Sequence, residues 1–199
     1  MVVLVTGSSK GIGYQIASDL LDQGHDLILH CNRNQSSLED LLSGYKSNSV
    51  IIQADLSSCN DIKKLVDETT NKLSFPDCVI NNAGIAESAD ISLDIQEWDK
   101  MFDKTISVNL KAPGLIFKEF IKYKRKNKIK TRLRFVNISS RAAFRGEQQD
   151  YISYACSKGG LISLTKTMSR SFGDTDNIVA VSITPGFVTT DMNKSFIDE

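Results

Sequence analysis

A four-residue apolar run, Val2 to Val5, passes straight into Thr6-Gly7-Ser8-Ser9-Lys10-Gly11-Ile12-Gly13. A helical stripe at Ile12, Ile16, Ala17, Leu20 and Leu21 begins before the glycines end. An uninterrupted β-branched and leucine run suits a strand buried on both faces. Glycines at 7, 11 and 13 permit positive φ and close backbone approach, with the helix N–H groups aimed at an anion. Strand, glycine turn and helix in that order are the pattern of a phosphate-binding βα unit. The spacing is G-x-x-x-G-x-G rather than G-x-G-x-x-G, so a turn that merely tightens packing is the competing reading.

The same alternation continues down the chain. Leu27–Leu29, Val50–Ala54, Cys78–Ile80, Leu133–Ile138 and Val179–Ile183 read as strands, the last ended by Pro185-Gly186. Helical patterns lie at Ile62 to Leu73, Leu110 to Ile121 and Tyr154 to Phe172, and Gly24 marks the end of the first helix. A βαβα rhythm with crossover-length spacing calls for a mainly parallel α/β sheet, doubly wound, with helices on both faces. No repeat or low-complexity linker divides the 199 residues, which read as a single domain, 1–199.

Composition removes several function classes. Lys plus Arg number 24 and Asp plus Glu 24, so no general basic surface for nucleic acid is expected. Cys31, Cys59, Cys78 and Cys156 lie far apart, and there are two histidines. That argues against a metal module and against a disulfide scaffold, and fits a reducing compartment. The N-terminus lacks a basic segment and a signal-length apolar run, and no stretch approaches the roughly 20 apolar residues of a membrane span. A cytoplasmic chain with no membrane and no metal is the expectation.

Chemistry-bearing residues gather at the ends of the expected strands. After the second strand comes His30-Cys31-Asn32-Arg33-Asn34. No carboxylate stands there to hold a ribose 2′-OH, as an NAD site offers about 20 residues after its glycines. Arg33 and Lys10 suit a 2′-phosphate, favouring NADP(H) over two solvated cations. Tyr154 and Lys158 lie one helical turn apart, where an ammonium brings a phenol of pKa about 10 toward the working range. Ser139 and Ser140 follow the fifth strand, so a hydroxyl emerges at the sheet's carboxyl edge, where it can stabilise alkoxide charge or merely cap the next segment. Asn81-Asn82-Ala83-Gly84 ends the fourth strand, and Asn109 interrupts an apolar run; each asparagine alone reads equally as a turn or cap. His25 and His30 read as surface or strand-end residues.

Jointly, Thr6-Gly7-x3-Gly11-Ile12-Gly13, Asn81-Asn82-Ala83-Gly84, Asn109, Ser140, Tyr154-x3-Lys158 and Pro185-Gly186-x3-Thr190 resemble the short-chain dehydrogenase/reductase family, most of all its β-ketoacyl-[acyl carrier protein] reductases. The resemblance covers essentially the whole chain. It implies a Rossmann-type sheet in the order 3-2-1-4-5-6 and reduction of a ketone by NADP(H). Tyr154 would donate the proton, Ser140 would orient the carbonyl, Lys158 would hold the nicotinamide ribose, and Asn109 would anchor the water of a proton relay. Gly7, Ser9, Lys10, Gly11, Ile12, Gly13, Asn32, Arg33, Asp55, Leu56, Asn82, Ala83, Gly84, Pro185, Gly186, Val188 and Thr190 would line the cofactor site with Tyr154 and Lys158. Asp55 would meet the adenine and Thr190 the carboxamide.

Two departures stand out. Tyr154 follows Ser140 one position later than is usual, with Glu147-Gln148-Gln149-Asp150 between, which reads as a loop insertion at the mouth of the site and leaves Ser139 as an alternative to Ser140. The sequence ends at Glu199, soon after Thr190, so the family's last strand and substrate lid are expected to be missing. The implied partners are a small-molecule or acyl-thioester carbonyl substrate, an acyl carrier protein and further copies of the chain, as a dimer or tetramer. The acid-free stretch Lys122 to Arg134 offers a docking patch for such a carrier, or a solvated helix end. An NAD-dependent sugar or alcohol dehydrogenase and a catalytically weak dinucleotide-binding regulator are the competing functions.

Overall fold

The computed structural model describes residues 1–186 and 188. Six strands, β1 (Val2–Val5), β2 (Asp26–Cys31), β3 (Val50–Gln53), β4 (Cys78–Asn81), β5 (Leu133–Ile138) and β6 (Ile178–Ile183), form one sheet in the order β3-β2-β1-β4-β5-β6. Every pairing is parallel, with Leu4 opposite both Ile28 and Val79 and Val136 opposite both Ile80 and Val181. The expected architecture and strand order are both present. Because the chain leaves β1 in one direction and returns from β4 in the other, their carboxyl ends open a crevice at the point of reversal.

Alternate strand residues divide the core. Leu4, Ile28, Val79 and Phe135 face α3 (Cys59–Lys72), α5 (Ala112–Lys126) and Met168 of α7 (Ile152–Asp176). Val3, Val5, Leu27, Leu29 and Ile80 face α1 (Gly11–Asp22) and α2 (Ser36–Ser43). With both faces of β1 and β2 covered, continuous apolar runs rather than alternation are what these strands require. The same face of β6 leaves Val179, Val181 and Ile183 exposed among the described residues.

Local caps set several boundaries. Ser58 accepts the Asp61 N–H at the start of α3, and Asp94 accepts the N–H groups of Gln96 and Glu97 at the start of α4 (Ile95–Ile106). Asn177, left-handed at φ 53°, ends α7. Helices α2 and α4 are not among the expected elements, although both carry apolar residues at helical spacing, Leu38, Leu41 and Leu42 in α2 and Ile95, Trp98, Phe102 and Ile106 in α4; α4 buries only Thr105. The expected helix from Leu110 begins instead inside a π-helical turn, Ser107–Lys111, that joins α4 to α5. A short helix, α6 (Ala142–Arg145), follows β5. Among the described residues, no helix is long and apolar enough to cross a membrane.

Candidate active site

The glycine turn is clamped from two sides. Gly7 has φ +64°, and a Cβ placed on it would sit 2.8 Å from the Ala83 Cα; one on Gly13 would sit 2.3 Å from both Asn82 Nδ2 and the Gly7 carbonyl oxygen. No side chain fits at either position. On the β4 side, Thr6 Oγ1 accepts the N–H groups of Asn82 and Ala83, both at 3.1 Å, and Asn82 Nδ2 donates to the Thr6 and Gly7 carbonyls, both at 3.0 Å. On the β2 side stands His30; of the two readings the sequence offered, surface or strand end, the strand end holds, and the residue is 2% exposed. Its Nδ1 accepts the Gly7 N–H at 3.0 Å, and Nε2 lies 3.0 Å from the Ala54 carbonyl. Burial lowers its pKa, so the ring is neutral. α1 then starts with no side-chain cap and no acid in its first turn, leaving its first N–H groups open to an anion.

A cavity of about 970 Å³ extends from this turn along the carboxyl edge. Gly7, Ser9, Lys10, Gly11, Ile12, Asn32, Arg33, Asp55, Leu56, Asn82, Ala83 and Gly84 line it, as do Ser140, Tyr154, Lys158, Pro185, Gly186 and Val188. Gly13 and Asn109 are not part of that wall but brace residues that are, and Thr190 lies outside the described residues. At the β2–β3 end, Lys10 and Arg33 are exposed, and Asp55 is held below the usual carboxylate range by the Ser57 N–H and hydroxyl, with Arg33 and Lys104 adding to the effect. The glycine cradle, the open helix terminus and the volume fit a dinucleotide.

At the other end, Lys158 is 4% exposed and donates to the Ile138 carbonyl at 2.9 Å. Burial brings its pKa down to about 8. Its Nζ lies 5.7 Å from the centre of the Tyr154 ring. The phenol does not show the lowering expected from this lysine. Burial raises it, a hydrogen bond with Ser140 opposes the rise, and the Glu147 carboxylate adds to it. The physical reason is that desolvation of a phenolate outweighs an ammonium that is itself desolvated and turned to a carbonyl.

The two serines separate cleanly. Ser139 is buried and donates its hydroxyl to the Lys158 carbonyl at 2.9 Å, fixing α7 against β5. Ser140 is the one that acts on the phenol, opposing the rise of its pKa, and its Oγ accepts the Ala142 N–H at 3.2 Å. Asn109 sits in the π-helical turn, a feature common at functional sites. Its Oδ1 accepts the Ile85 N–H at 2.8 Å, while Nδ2 donates to the Ile85 carbonyl and to Ser157 Oγ at 2.8 and 3.1 Å. Both amide hydrogens are spent, which leaves the second lone pair of Oδ1 as the side chain's remaining hydrogen-bonding capacity; the side chain staples the loop after β4 to α7.

Sequence reasoning missed two cavity features. His30 gave one signal, a polar residue inside an otherwise apolar strand. The Glu87–Lys104 pair lines the cavity without any motif to mark it, while Glu147, paired with Arg145 at 2.9 Å, lines it as the loop insertion at the mouth of the site led one to expect. The basic stretch also differs from expectation. Lys124 is 3% exposed and donates to the Ile129 and Thr131 carbonyls, and Arg125 holds Asp176 through two bonds of 2.8 Å. The stretch precedes β5, so it lies at the amino edge of the sheet, opposite the cavity. Two of its cations serve the fold, and in a single chain the remainder do not border the site.

The chain matches the family model described as short chain dehydrogenase over residues 1–199. It is 34% identical to the 3-oxoacyl-[acyl-carrier-protein] reductase of Rickettsia prowazekii over 190 residues, covering 95% of this chain and 73% of that protein. It is 30% identical to the same enzyme of Aquifex aeolicus over 203 residues, covering 100% and 78%. A 4-hydroxyisoleucine dehydrogenase complexed with NADH superposes with a TM-score of 0.86 at 31% identity, covering 100% of this chain and 78% of that one. The RhlG/NADP complex of Pseudomonas aeruginosa, 24% identical with a TM-score of 0.85, shares the fold. A nucleotide-cradling glycine turn and a Tyr–Lys–Ser cluster at opposite ends of one cavity, in a chain matched end to end by that model, place it in the short-chain dehydrogenase family of nicotinamide-dinucleotide-dependent oxidoreductases.

Proposed function

We propose that the protein is an NADPH-dependent reductase that converts a ketone, in the first instance a 3-oxoacyl thioester, to a secondary alcohol. The observation that carries this reading is the convergence of Ser140, Tyr154 and Lys158 at one end of a cavity whose other end presents Lys10 and Arg33. The 3-oxoacyl-[acyl-carrier-protein] reductases at 28–34% identity support the substrate class. The bound reduced nicotinamide supplies the hydride. Ser140 donates a hydrogen bond to the substrate oxygen and stabilises the charge that develops there. Tyr154, its pKa raised by burial, carries its proton at neutral pH and delivers it to that oxygen. Lys158, with Ile138 as one acceptor, keeps N–H groups for the ribose hydroxyls. Asn109 fixes Ile85 and, through Ser157, the helix that bears the tyrosine. Lys10 and Arg33 select the 2′-phosphate. Apolar side chains exposed on α4 and α7, Ile95 at 75% and Ile152 at 39%, support assembly with further copies of the chain.

A second reading has its own support. The 4-hydroxyisoleucine dehydrogenase structure holds NADH, which favours NAD-dependent oxidation of a small alcohol. Purified protein supplied with NADPH and an acetoacetyl thioester is expected to oxidise the cofactor, and Tyr154→Phe to slow this by about 10²–10⁴-fold. Equal rates would defeat the assignment of the proton donor. In titrations NADPH is expected to bind more tightly than NADH, and Arg33→Glu to remove that preference. Tighter NADH binding by the wild type would transfer the function to the second reading.

A further inference from the structure

Three hydrogen bonds from the glycine turn end on one residue of β2. The Gly7 N–H reaches His30 Nδ1 at 3.0 Å, and the Ser8 N–H and hydroxyl reach the His30 carbonyl at 2.9 and 3.1 Å. The far ring nitrogen, Nε2, meets the Ala54 carbonyl at 3.0 Å, where the chain leaves β3. A peptide N–H only donates and a carbonyl only accepts, so the partners dictate the tautomer: hydrogen on Nε2, a bare lone pair on Nδ1. The ring thus spans three strands, tying the turn after β1 to the end of β3 across β2. An imidazolium cannot do this, because a proton on Nδ1 would face the Gly7 N–H. With that N–H spent on the histidine, the anion must be received by the later amides of the turn and by the uncapped start of α1.

We propose that His30 is a positioning residue for dinucleotide binding, its neutral imidazole accepting the Gly7 N–H and so holding the turn in the conformation that aims its later amides into the cavity. The inference rests on dinucleotide binding alone, not on the choice of substrate. Protonation of the ring breaks the Gly7 bond, so affinity falls at acidic pH. Burial moves that fall below the ordinary histidine range. Asp55, after β3, faces the ring and favours the imidazolium; the cations that line the same cavity nearby are Lys10 in the turn and Arg33 after β2. The β4 side contributes the carboxamide of Asn82.

Two variants divide the ring's contacts. His30→Asn keeps an acceptor near the position of Nδ1 but does not extend to Ala54. His30→Gln reaches Ala54 but leaves the Gly7 N–H without an acceptor. Dissociation constants for NADPH and NADH are measured from pH 5.5 to 8, NADH serving because it lacks the 2′-phosphate that itself titrates in this range. His30→Gln is expected to weaken both dinucleotides about tenfold, with kcat at saturating cofactor unchanged. His30→Asn is expected to bind like the wild type at pH 7.5 and to lose the acid-side fall. Thermal midpoints of both variants are recorded alongside. Equal weakening by the two substitutions, in step with equal loss of stability, would reduce His30 to a packing residue and overturn the proposal, as would a wild-type NADH profile shared by His30→Asn. A wild type that binds both dinucleotides but reduces no ketone leaves the role of His30 standing while the proposed reaction falls; one that binds neither removes both.

Discussion

The two ends of the cavity are built by opposite means. At the dinucleotide end, geometry is held by uncharged groups: the Thr6 hydroxyl, the Asn82 carboxamide and a neutral His30 each pair with backbone of the turn. Such bonds cost little to bury once every donor has its acceptor. At the chemical end, an ammonium is buried against one carbonyl, and a phenol is pushed away from its charged form. Precision of shape needs only satisfied hydrogen bonds, whereas proton transfer needs groups whose charge is poorly solvated. The cradle therefore ought to be a net contributor to stability and the catalytic cluster a net cost, and that contrast can be tested.

The largest separation is expected from Lys158→Met. Removing the ammonium should reduce turnover by at least about 10²-fold, the usual scale for loss of a group that supports proton transfer. The same change should raise Tm, because methionine fills the space without a charge to desolvate. A pKa brought from 10.5 to about 8 corresponds to a folding penalty of about 3 kcal/mol. Below pH 8 the folded and unfolded chains both carry the proton, and the penalty is complete. Between pH 8 and 10.5 the folded chain releases the proton first, so the stability of the wild type rises toward that of the variant. Denaturant unfolding at pH 7, 9 and 10.5 should show the gap closing; a variant less stable than wild type at pH 7 would break the contrast.

Next in size is Gly13→Ala, set against Gly24→Ala. The methyl group at position 13 must displace Asn82 Nδ2 or the Gly7 carbonyl, each 2.3 Å away, and overpacking of this kind costs about 1–3 kcal/mol. Gly24 has φ +75° but nothing within 4 Å, so its alanine suffers only the left-handed penalty of about 1–2 kcal/mol. The two variants should differ modestly in Tm and sharply in NADPH affinity, lost at position 13 and retained at position 24. Comparable affinities would mean that the clamp on the turn does not shape the binding site.

The contrast also explains what could be read without coordinates. Strands such as Leu27–Leu29 announce themselves because burial on both faces demands an unbroken apolar run, and the glycines because no other residue fits their φ or their space. Tyr154, Lys158 and Ser140 carry motif spacing. His30 does not, because one histidine in a strand looks the same whether it is a frayed end or a three-strand tie; only the placement of Gly7 and Ala54 distinguishes them. Helix α4 was legible in the spacing of Ile95, Trp98, Phe102 and Ile106 although it is not among the expected helices, whereas the π-helical turn has no residue pattern of its own. Lys124 read as a docking cation because charge is visible in sequence and two waiting carbonyls are not. The pKa of Tyr154 was misjudged for a related reason: spacing shows the ammonium, while burial of both groups emerges only from packing.

The smallest expected effect tests whether the chemical end is tuned by charge as well as by burial. Glu147, its side chain 16% exposed, holds Arg145 and faces the cavity beside Tyr154, where its carboxylate adds to the rise of the phenol. Glu147→Gln keeps the shape and removes the charge. With less negative potential nearby, phenolate becomes easier to form, and the pKa of Tyr154 moves down. In the reductive direction the tyrosine must hold its proton, so the alkaline limb of the kcat/KM profile should shift to lower pH. In the oxidative direction the phenolate is the active form, and activity should rise from a lower pH than in wild type. The two shifts must agree in sign, since they report one ionisation. A profile unmoved in both directions would mean that Arg145 neutralises Glu147 at the phenol, and that desolvation alone sets the acid.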